Sequence, residues 1–318
     1  MRAAVLFVPL AVVVAASCAI AEQPLMLRYQ FPPGHTLHYE TTAQLQGHST
    51  IPSKPEGERE KLTLEGTLVL RTLIENVATD DTKRSRVRVR VGHVAWEGTV
   101  GGRKIRFNFP SPSPKVQPPQ LSMVLPLIVP ETMVLSLSTR GVVLGSSGSA
   151  LNLMPSFGPM NFFAVEPWLP ATGVLVGDEW GHKVGGDVSV GDQKRFEVST
   201  MTTFDAVEGG DGLEIARMTR RTSTEVLGVS LRPVVAEQMP GSLLRLEVPA
   251  FSGSDETEVR FDLSNGRVQS EEGHGKAIVQ LVRRDLDLAS NPRTRRVKVE
   301  MKVEWKTELK KVDVKPSS

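Results

Sequence analysis

The residues that could do chemistry are few and scattered. The chain has six histidines, His35, His38, His48, His93, His182 and His274. No two are spaced for a metal pair on a helix, and H-E-x-x-H is absent. His35 and His38 lie three apart, which on a strand sends them to opposite faces. No G-x-S-x-G elbow supplies a nucleophilic serine. Gly145-Ser146-Ser147-Gly148-Ser149 reads as a small-residue turn. Neither G-x-x-x-x-G-K-[ST] nor G-x-G-x-x-G is present to cradle phosphate. Asp80-Asp81 and Glu271-Glu272 are neighbours in polar, turn-like surroundings, whereas hydrolysis of a glycoside needs two carboxylates converging across a cleft. The expectation is a protein without catalytic machinery, metal or cofactor.

Another chemistry is written in one apolar stretch. Residues 150–170, ALNLMPSFGPMNFFAVEPWLP, gather aromatic and long aliphatic side chains between prolines that forbid a long helix. Leu153, Met154, Phe157, Met160, Phe162, Phe163 and Trp168 are the candidate contacts for a hydrophobic or lipid-like ligand. Plain core packing is the competing reading of the same residues.

The lone cysteine, Cys18, belongs to the leader. Arg2 is followed by an apolar run from Ala3 to Val14, then by Ala15-Ala16-Ser17-Cys18-Ala19-Ile20-Ala21. That is the layout of a secretory signal, cut after Ala21. Residues 1–21 are therefore expected to leave the mature chain. Ala15-Ala16-Ser17-Cys18 loosely resembles a lipobox, with Ala15 where leucine is usual. Cys18 is thus either removed with the leader or lipidated as a membrane anchor. In both cases the folded part has no thiol, disulfide or cysteine nucleophile. The expected location is extracytoplasmic: periplasmic, secreted, or tethered as a lipoprotein. Lys plus Arg number 38 against 36 Asp plus Glu, and the leader carries off one of the basic residues. Charge this balanced gives no footprint for nucleic acid.

The elements that must position these residues are strands. Arg86-Val87-Arg88-Val89-Arg90-Val91 alternates strictly, as does Val297 to Trp305. Leu62, Leu64, Leu68 and Leu70 share one parity, and so do Val259, Phe261 and Leu263. Period two buries one face and wets the other, the mark of antiparallel strands. Arginines on the wet face solubilise it. Gly101-Gly102, Gly185-Gly186, Gly209-Gly210-Asp211-Gly212 and Ser264-Asn265-Gly266 punctuate the runs, and Asn265-Gly266 signals a two-residue type I′ hairpin. Arg283-Arg284 and Arg293-Thr294-Arg295-Arg296 are interleaved with acids and read as a solvated face.

A weak echo runs through the chain. Pro33-Gly34-His35-Thr36-Leu37-His38-Tyr39 and Val176-Gly177-Asp178-Glu179-Trp180-Gly181-His182 each open a strand after a turn. The expected fold is all-β: a curved antiparallel sheet or sheets, half-barrel or sandwich-like, in two related halves with few short helices. The first β half spans 22–165, with a proline-rich connector at 110–119 and the apolar segment from 150. The second spans 166–318 and ends in a long strand.

Several short motifs, in order, resemble an uncharacterised family of bacterial secreted and lipoprotein-type β proteins. They are Leu27-Arg28-Tyr29 with Phe31, Pro33-Gly34 and Tyr39; Thr139-Arg140-Gly141-Val142; Leu169-Pro170 with Val176-Gly177-Asp178-Glu179-Trp180; and Phe261-Asp262 with Gly266-Arg267-Val268. Leu37 and His38 depart from the pattern, which favours another aromatic there. The resemblance implies an exported β protein and carries no activity or catalytic residue. A looser, fold-level likeness is to periplasmic lipoprotein carriers. The functional expectation is a non-enzymatic binding module for a hydrophobic or lipid-like ligand. The alternative is a structural or protein-interaction component of the bacterial envelope, with membrane contact only through the leader or a lipid anchor.

Overall fold

The computed structural model describes residues 23–52, 59–79, 84–109, 132–148, 168–187, 195–210, 213–230, 234–235, 242–287 and 293–314. Thirteen strands form one antiparallel sheet: β1 (His35–Pro52), β2 (Arg59–Thr79), β3 (Ser85–Val100), β4 (Arg103–Phe109), β5 (Thr132–Leu137), β6 (Val143–Gly148), β7 (Glu179–Asp187), β8 (Arg195–Gly210), β9 (Leu213–Ser230), β10 (Val234–Val235), β11 (Ser242–Asp262), β12 (Arg267–Asp287) and β13 (Arg293–Val314). The described residues contain no helix, so the few short helices expected from sequence are not found among them.

The order across the sheet is β6-β5-β3-β2-β1-β13-β12-β11-β9-β8-β7, with β4 beside β3 and β10 beside β11. Each flank is a meander in chain order, and the first strand pairs with the last. The sheet does not close into a barrel, and its outer strands are β6 and β7, consecutive in the chain. The expectation of a curved all-β sheet holds. The boundary expected near residue 165, the connector 110–119 and the leader all lie outside the described residues.

Alternation decides which residues go inside. Val87, Val89 and Val91 are buried while Arg86, Arg88 and Arg90 are exposed. Burying each valine is worth roughly 1.5–3 kcal/mol. The opposite face carries Arg71, Glu97, Arg221, Glu272, Lys276, Lys302, Glu304 and Lys306, all exposed. It is laced by cross-strand ion pairs such as Arg71 with Glu40 at 2.9 Å and Arg221 with Glu256 at 2.8 Å. Exposed pairs of this kind add little to stability but keep the face wet.

Two apolar clusters sit on the inner face. One unites both flanks: Leu37, Tyr39, Ile74, Val87 and Leu135 meet Phe204, Met218, Val259, Phe261 and Val268, with Leu27, Tyr29, Leu169 and Val174 between them. The second lies farther along the strands and is built from β1, β2, β3 and β13, through Ala43, Leu45, Leu68, Leu70, Val91, Val94, Trp96, Val303 and Trp305, with Ile105 of β4 packed against it. A curved sheet brings its flanks together at one end, and the first cluster fills that end as a floor.

The β11–β12 hairpin differs from expectation. Asp262 pairs with Arg267, so the turn has four residues, Leu263 to Gly266, rather than two. The Asp262 carboxylate is the reason. It accepts the Asn265 N–H at 2.9 Å and the Asn265 side-chain amide at 2.8 Å, closing an Asx-type turn.

Candidate functional site

The motifs scattered along the sequence meet in space at the floor. Residues 23–34 cross the end of the sheet before β1 begins. Leu25 and Val174 exchange both backbone hydrogen bonds at 2.9 Å. The Tyr29 N–H donates to Thr139 O at 2.7 Å, and the Gln30 N–H donates to Gly266 O at 2.8 Å. Arg28 donates to the Pro170 and Ala171 carbonyls at 2.8 and 2.6 Å. Arg140 and Leu169 are doubly bonded, Leu169 N–H to Arg140 O at 2.8 Å and Arg140 Nε to Leu169 O at 2.9 Å. The turn at Val176–Asp178 is pinned to Phe204 by two backbone bonds of 2.7 and 2.9 Å. Tyr39 donates to Val268 O at 2.8 Å, and Tyr29 packs edge-on against Phe261. Gly34 and Gly177, which open the two echoed segments, both have positive φ and lead into the first strand of a flank. These motifs build the floor; the residues that could engage a ligand lie above it.

At the rim of the floor is a dimple of about 40 Å³ lined by Phe31, His35, Ile74, Asn76 and Arg267 among others. Asn76 spends its amide N–H groups on Phe31 O and Thr79 Oγ1. Its Oδ1, His35 Nδ1 and Arg267 Nε are buried without a hydrogen-bond partner, although Arg267 Nε forms an ion pair with Asp262 Oδ2 at 3.9 Å. One bridging water suits that size and polarity.

Above the floor the inner face divides by chemistry. The strand register sets one cross-sheet row: Trp96, Leu68, Ala43, Trp305, Gly273, Thr257, Arg220, Thr202, Trp180. The next row is Gly98, Gly66, Leu45, Val303, Gly275, Asp255, Thr222, Thr200, His182. From β3 to β13 both rows are apolar. From β11 to β8 both are polar. Glycines let the two tryptophans lie flat on the sheet: a Cβ on Gly66 would stand 2.5 Å from Trp96 Cζ2, and one on Gly273 would stand 2.6 Å from Trp305 Cζ2. The indoles are 7% and 5% exposed. Neither Nε1 has a hydrogen-bond partner.

The polar half holds a charge cluster. Arg220 and Glu271 are each 2% exposed and form an ion pair, Arg220 NH1 to Glu271 Oε1 at 3.7 Å. Arg220 NH2 donates to Thr257 Oγ1 at 3.4 Å, and Thr257 in turn donates to Asp255 Oδ1 at 3.2 Å. Asp255 is 7% exposed, and its Oδ2 has no hydrogen-bond partner. Burial pushes the Asp255 carboxyl above its ordinary range, against the pull of Arg220 and of hydrogen bonds from Thr257 and Thr222. One guanidinium thus serves two buried carboxylates. His182, at the far end of the second row, is held below its ordinary value by burial and by Arg140.

Among the residues expected to touch a ligand, only Trp168 is described. It is half-buried, accepts the Trp180 indole N–H on its carbonyl at 2.6 Å and meets the His182 ring edge-on. It stands beside the inner face, next to the polar rows. Leu153, Met154, Phe157, Met160, Phe162 and Phe163 lie outside the described residues, as does Cys18. Glu271-Glu272 is not in a turn: it lies in β12, with Glu271 facing in and Glu272 facing out. His38 and His48 face out and meet Asp313 and Glu300 across the β1–β13 pair. No group of three or more His, Cys, Asp or Glu among the described residues is placed to hold a metal. Arg220 and Asp255 were missed from sequence. Their parity was the available signal, since Arg220 continues Ala216 and Met218, and Asp255 precedes Thr257, Val259 and Phe261.

No family model matches this chain, and no curated protein matches it. Among solved structures it is similar to lipovitellin, in a structure concerned with lipid–protein interactions, at 12% identity and a TM-score of 0.43 over 91% of this chain. This chain spans about a quarter of that one, 26% of its length. It also matches DynF from the dynemicin biosynthesis pathway of Micromonospora chersina at 9% identity and a TM-score of 0.19, over 89% of this chain and 85% of that one. The COG4313 outer membrane channel of Pseudomonas putida F1 matches at 9% identity and a TM-score of 0.16, over 87% and 97%. Scores this low assign neither a family nor a function. The outer face itself separates this sheet from a membrane barrel, because it carries charge where such a barrel presents an apolar band to lipid.

Proposed function

We propose that this chain is a non-enzymatic, extracytoplasmic binding module whose inner sheet face takes an amphipathic, lipid-like ligand. One observation carries the reading: the face is apolar on one flank and polar on the other, and buried polar atoms at Trp96, Trp305 and Asp255 lack protein partners. Each such atom costs about 1–3 kcal/mol when nothing satisfies it. A molecule with a polar head and an apolar chain would match that division, its head toward the polar rows and its chain toward the apolar ones. That the sheet is not closed between its outer strands, β6 and β7, supports entry from that side.

The test is native mass spectrometry of the protein purified from its source, followed by lipid extraction and rebinding. A retained adduct of amphiphile mass, which rebinds at one to one, is the expected result. Protein that is consistently empty and takes up no amphiphile would overturn the reading. It would favour the envelope structural role instead, for which the unpaired outer edges of β6 and β7, among the described residues, are the supporting feature.

A further inference from the structure

The wall beside the floor gathers basic side chains with no acid to answer them. Residues 168–171 run along it, and three side chains grip them in succession. The His182 ring meets the Trp168 ring edge-on. Arg140 Nε donates to Leu169 O at 2.9 Å. Arg28 donates to Pro170 O at 2.8 Å and to Ala171 O at 2.6 Å. His182, Arg140 and Arg28 are thus neighbours, although one lies in β7, one in the turn after β5 and one in the segment that crosses the floor. Burial holds His182 and Arg28 below their ordinary values, and the nearby Arg140 charge adds to the effect in both. All three are partly exposed, so the group opens to solvent. Among the described residues no acidic side chain pairs with either guanidinium; every described bond from them goes to a backbone carbonyl. Asp178, in the turn before β7, spends its Oδ2 on the Leu175 N–H at 2.8 Å, and Glu179 accepts from Thr203 on the outer face.

We propose that Arg140, flanked by Arg28 and His182, is a binding site for a dianionic oxyanion, a phosphate group either free or as a monoester. The floor uses only Nε of Arg140; its two terminal nitrogens have no described acceptor. They form a planar fork that meets two oxygens of one anion at once. The bond to Leu169 O fixes the plane of that fork before the anion arrives. Two guanidiniums carry two permanent positive charges, and a phosphate monoester carries about −1.5 to −2 at neutral pH. A carboxylate would leave one of the two unanswered. His182 supplies a ring N–H at the edge of the same group. Arg28 and Arg140 come from two of the short sequence motifs, so the convergence of those motifs builds this site together with the floor. The site lies beside the inner face and holds whether or not that face takes a ligand.

The experiment titrates the full chain with inorganic phosphate, hexyl phosphate, sulfate and acetate at one constant ionic strength, because charge contacts of this kind are screened by salt. Calorimetry and the His182 ring resonances in NMR are the readouts. Phosphate and sulfate are expected to bind about tenfold tighter than acetate, and both to move the His182 resonances. Hexyl phosphate binding tighter than phosphate assigns the group to a larger ester, and equal binding assigns it to the free anion. Arg140→Lys keeps the charge and loses the fork, and should weaken phosphate about tenfold. Arg103→Lys, in the exposed turn before β4, should leave binding unchanged. The ranking and the His182 shift on the unaltered chain decide the matter if Arg140→Lys folds poorly. Acetate equal to phosphate overturns the site, as does phosphate that binds without moving His182. So do an undiminished affinity in folded Arg140→Lys and a chain that binds none of the four.

Discussion

Replacing Gly266 by alanine should unlock the floor, and a second glycine provides the control. Gly266 and Gly102 both sit in hairpin turns with positive φ, +57° and +77°. For either, alanine incurs the left-handed penalty of about 1–2 kcal/mol, partly offset by a less flexible unfolded chain. The surroundings then separate them. A Cβ on Gly102 meets nothing within 4 Å. A Cβ on Gly266 would lie 2.6 Å from Arg28 O, 2.8 Å from Gln30 N and 2.5 Å from Gln30 Cγ. Two of those three atoms are backbone of the segment that crosses the floor, and they cannot swing aside. Overpacking of that kind costs about 1–3 kcal/mol. Displacing the segment also lengthens the Gln30 N–H to Gly266 O bond, now 2.8 Å, which is worth about 1 kcal/mol. Gly266→Ala should therefore lose roughly 3–5 kcal/mol in urea unfolding, against roughly 1 kcal/mol for Gly102→Ala. Hydrogen exchange should quicken at the Tyr29, Gln30 and Leu169 amides in the first variant alone. If the two variants unfold within about 0.5 kcal/mol of each other, the smallest difference that surface substitutions leave readable, the floor does not depend on that close approach.

Other outcomes follow from the same contacts. Arg220→Met leaves Glu271 buried without its cation and should cost about 3–5 kcal/mol, most of it recovered by adding Glu271→Leu, as a double-mutant cycle in urea would show. The folded state favours protonated Asp255, because burial raises its carboxyl above the ordinary 3.8. Stability from this group is therefore lost as pH rises from 3.8 through the raised value, so Asp255→Asn should unfold at higher urea than the parent at pH 7 and lose that advantage below about pH 3.8. Trp305→Ala strips the cover from Gly273 and should cost about 3–5 kcal/mol, with Trp305→Phe recovering part of it in the same assay. Arg28→Ala removes the side-chain bonds to Pro170 and Ala171 and should speed exchange at the Leu169 and Val174 amides, while the amides paired between β1 and β13 stay protected.

Much of the fold was legible because alternation reports burial directly. Val87, Val89 and Val91 announced their face, and the strand around Val303 and Trp305 did the same. The Asn265-Gly266 hairpin was legible as a hairpin. Its length was not, because Asp262 enlarges the turn through side-chain bonds that a dipeptide signal does not contain. The short motifs were visible as a list, and their convergence was not. Only the pairing of Leu25 with Val174, and of Arg28 with Pro170, shows that residues some 140 positions apart share one wall. The charge cluster escaped for a different reason. Arg220 and Asp255 are outnumbered by surface charges of the same types, and only their parity within β9 and β11 sets them apart.

The pairing of β1 with β13 also dictates when this protein can become itself. The hydroxyls of Thr41 and Thr307 bond at 2.9 Å across 266 positions of sequence. The seam at the middle of the sheet is thus the contact of longest range, and it waits for the last strand to be made. Until β13 arrives, β1 and β12 each present a bare edge of 18 and 21 residues. Long-range pairing of this kind folds slowly and leaves those edges open to other chains. The centre of the sheet is therefore assembled only after the strands of both flanks have been made.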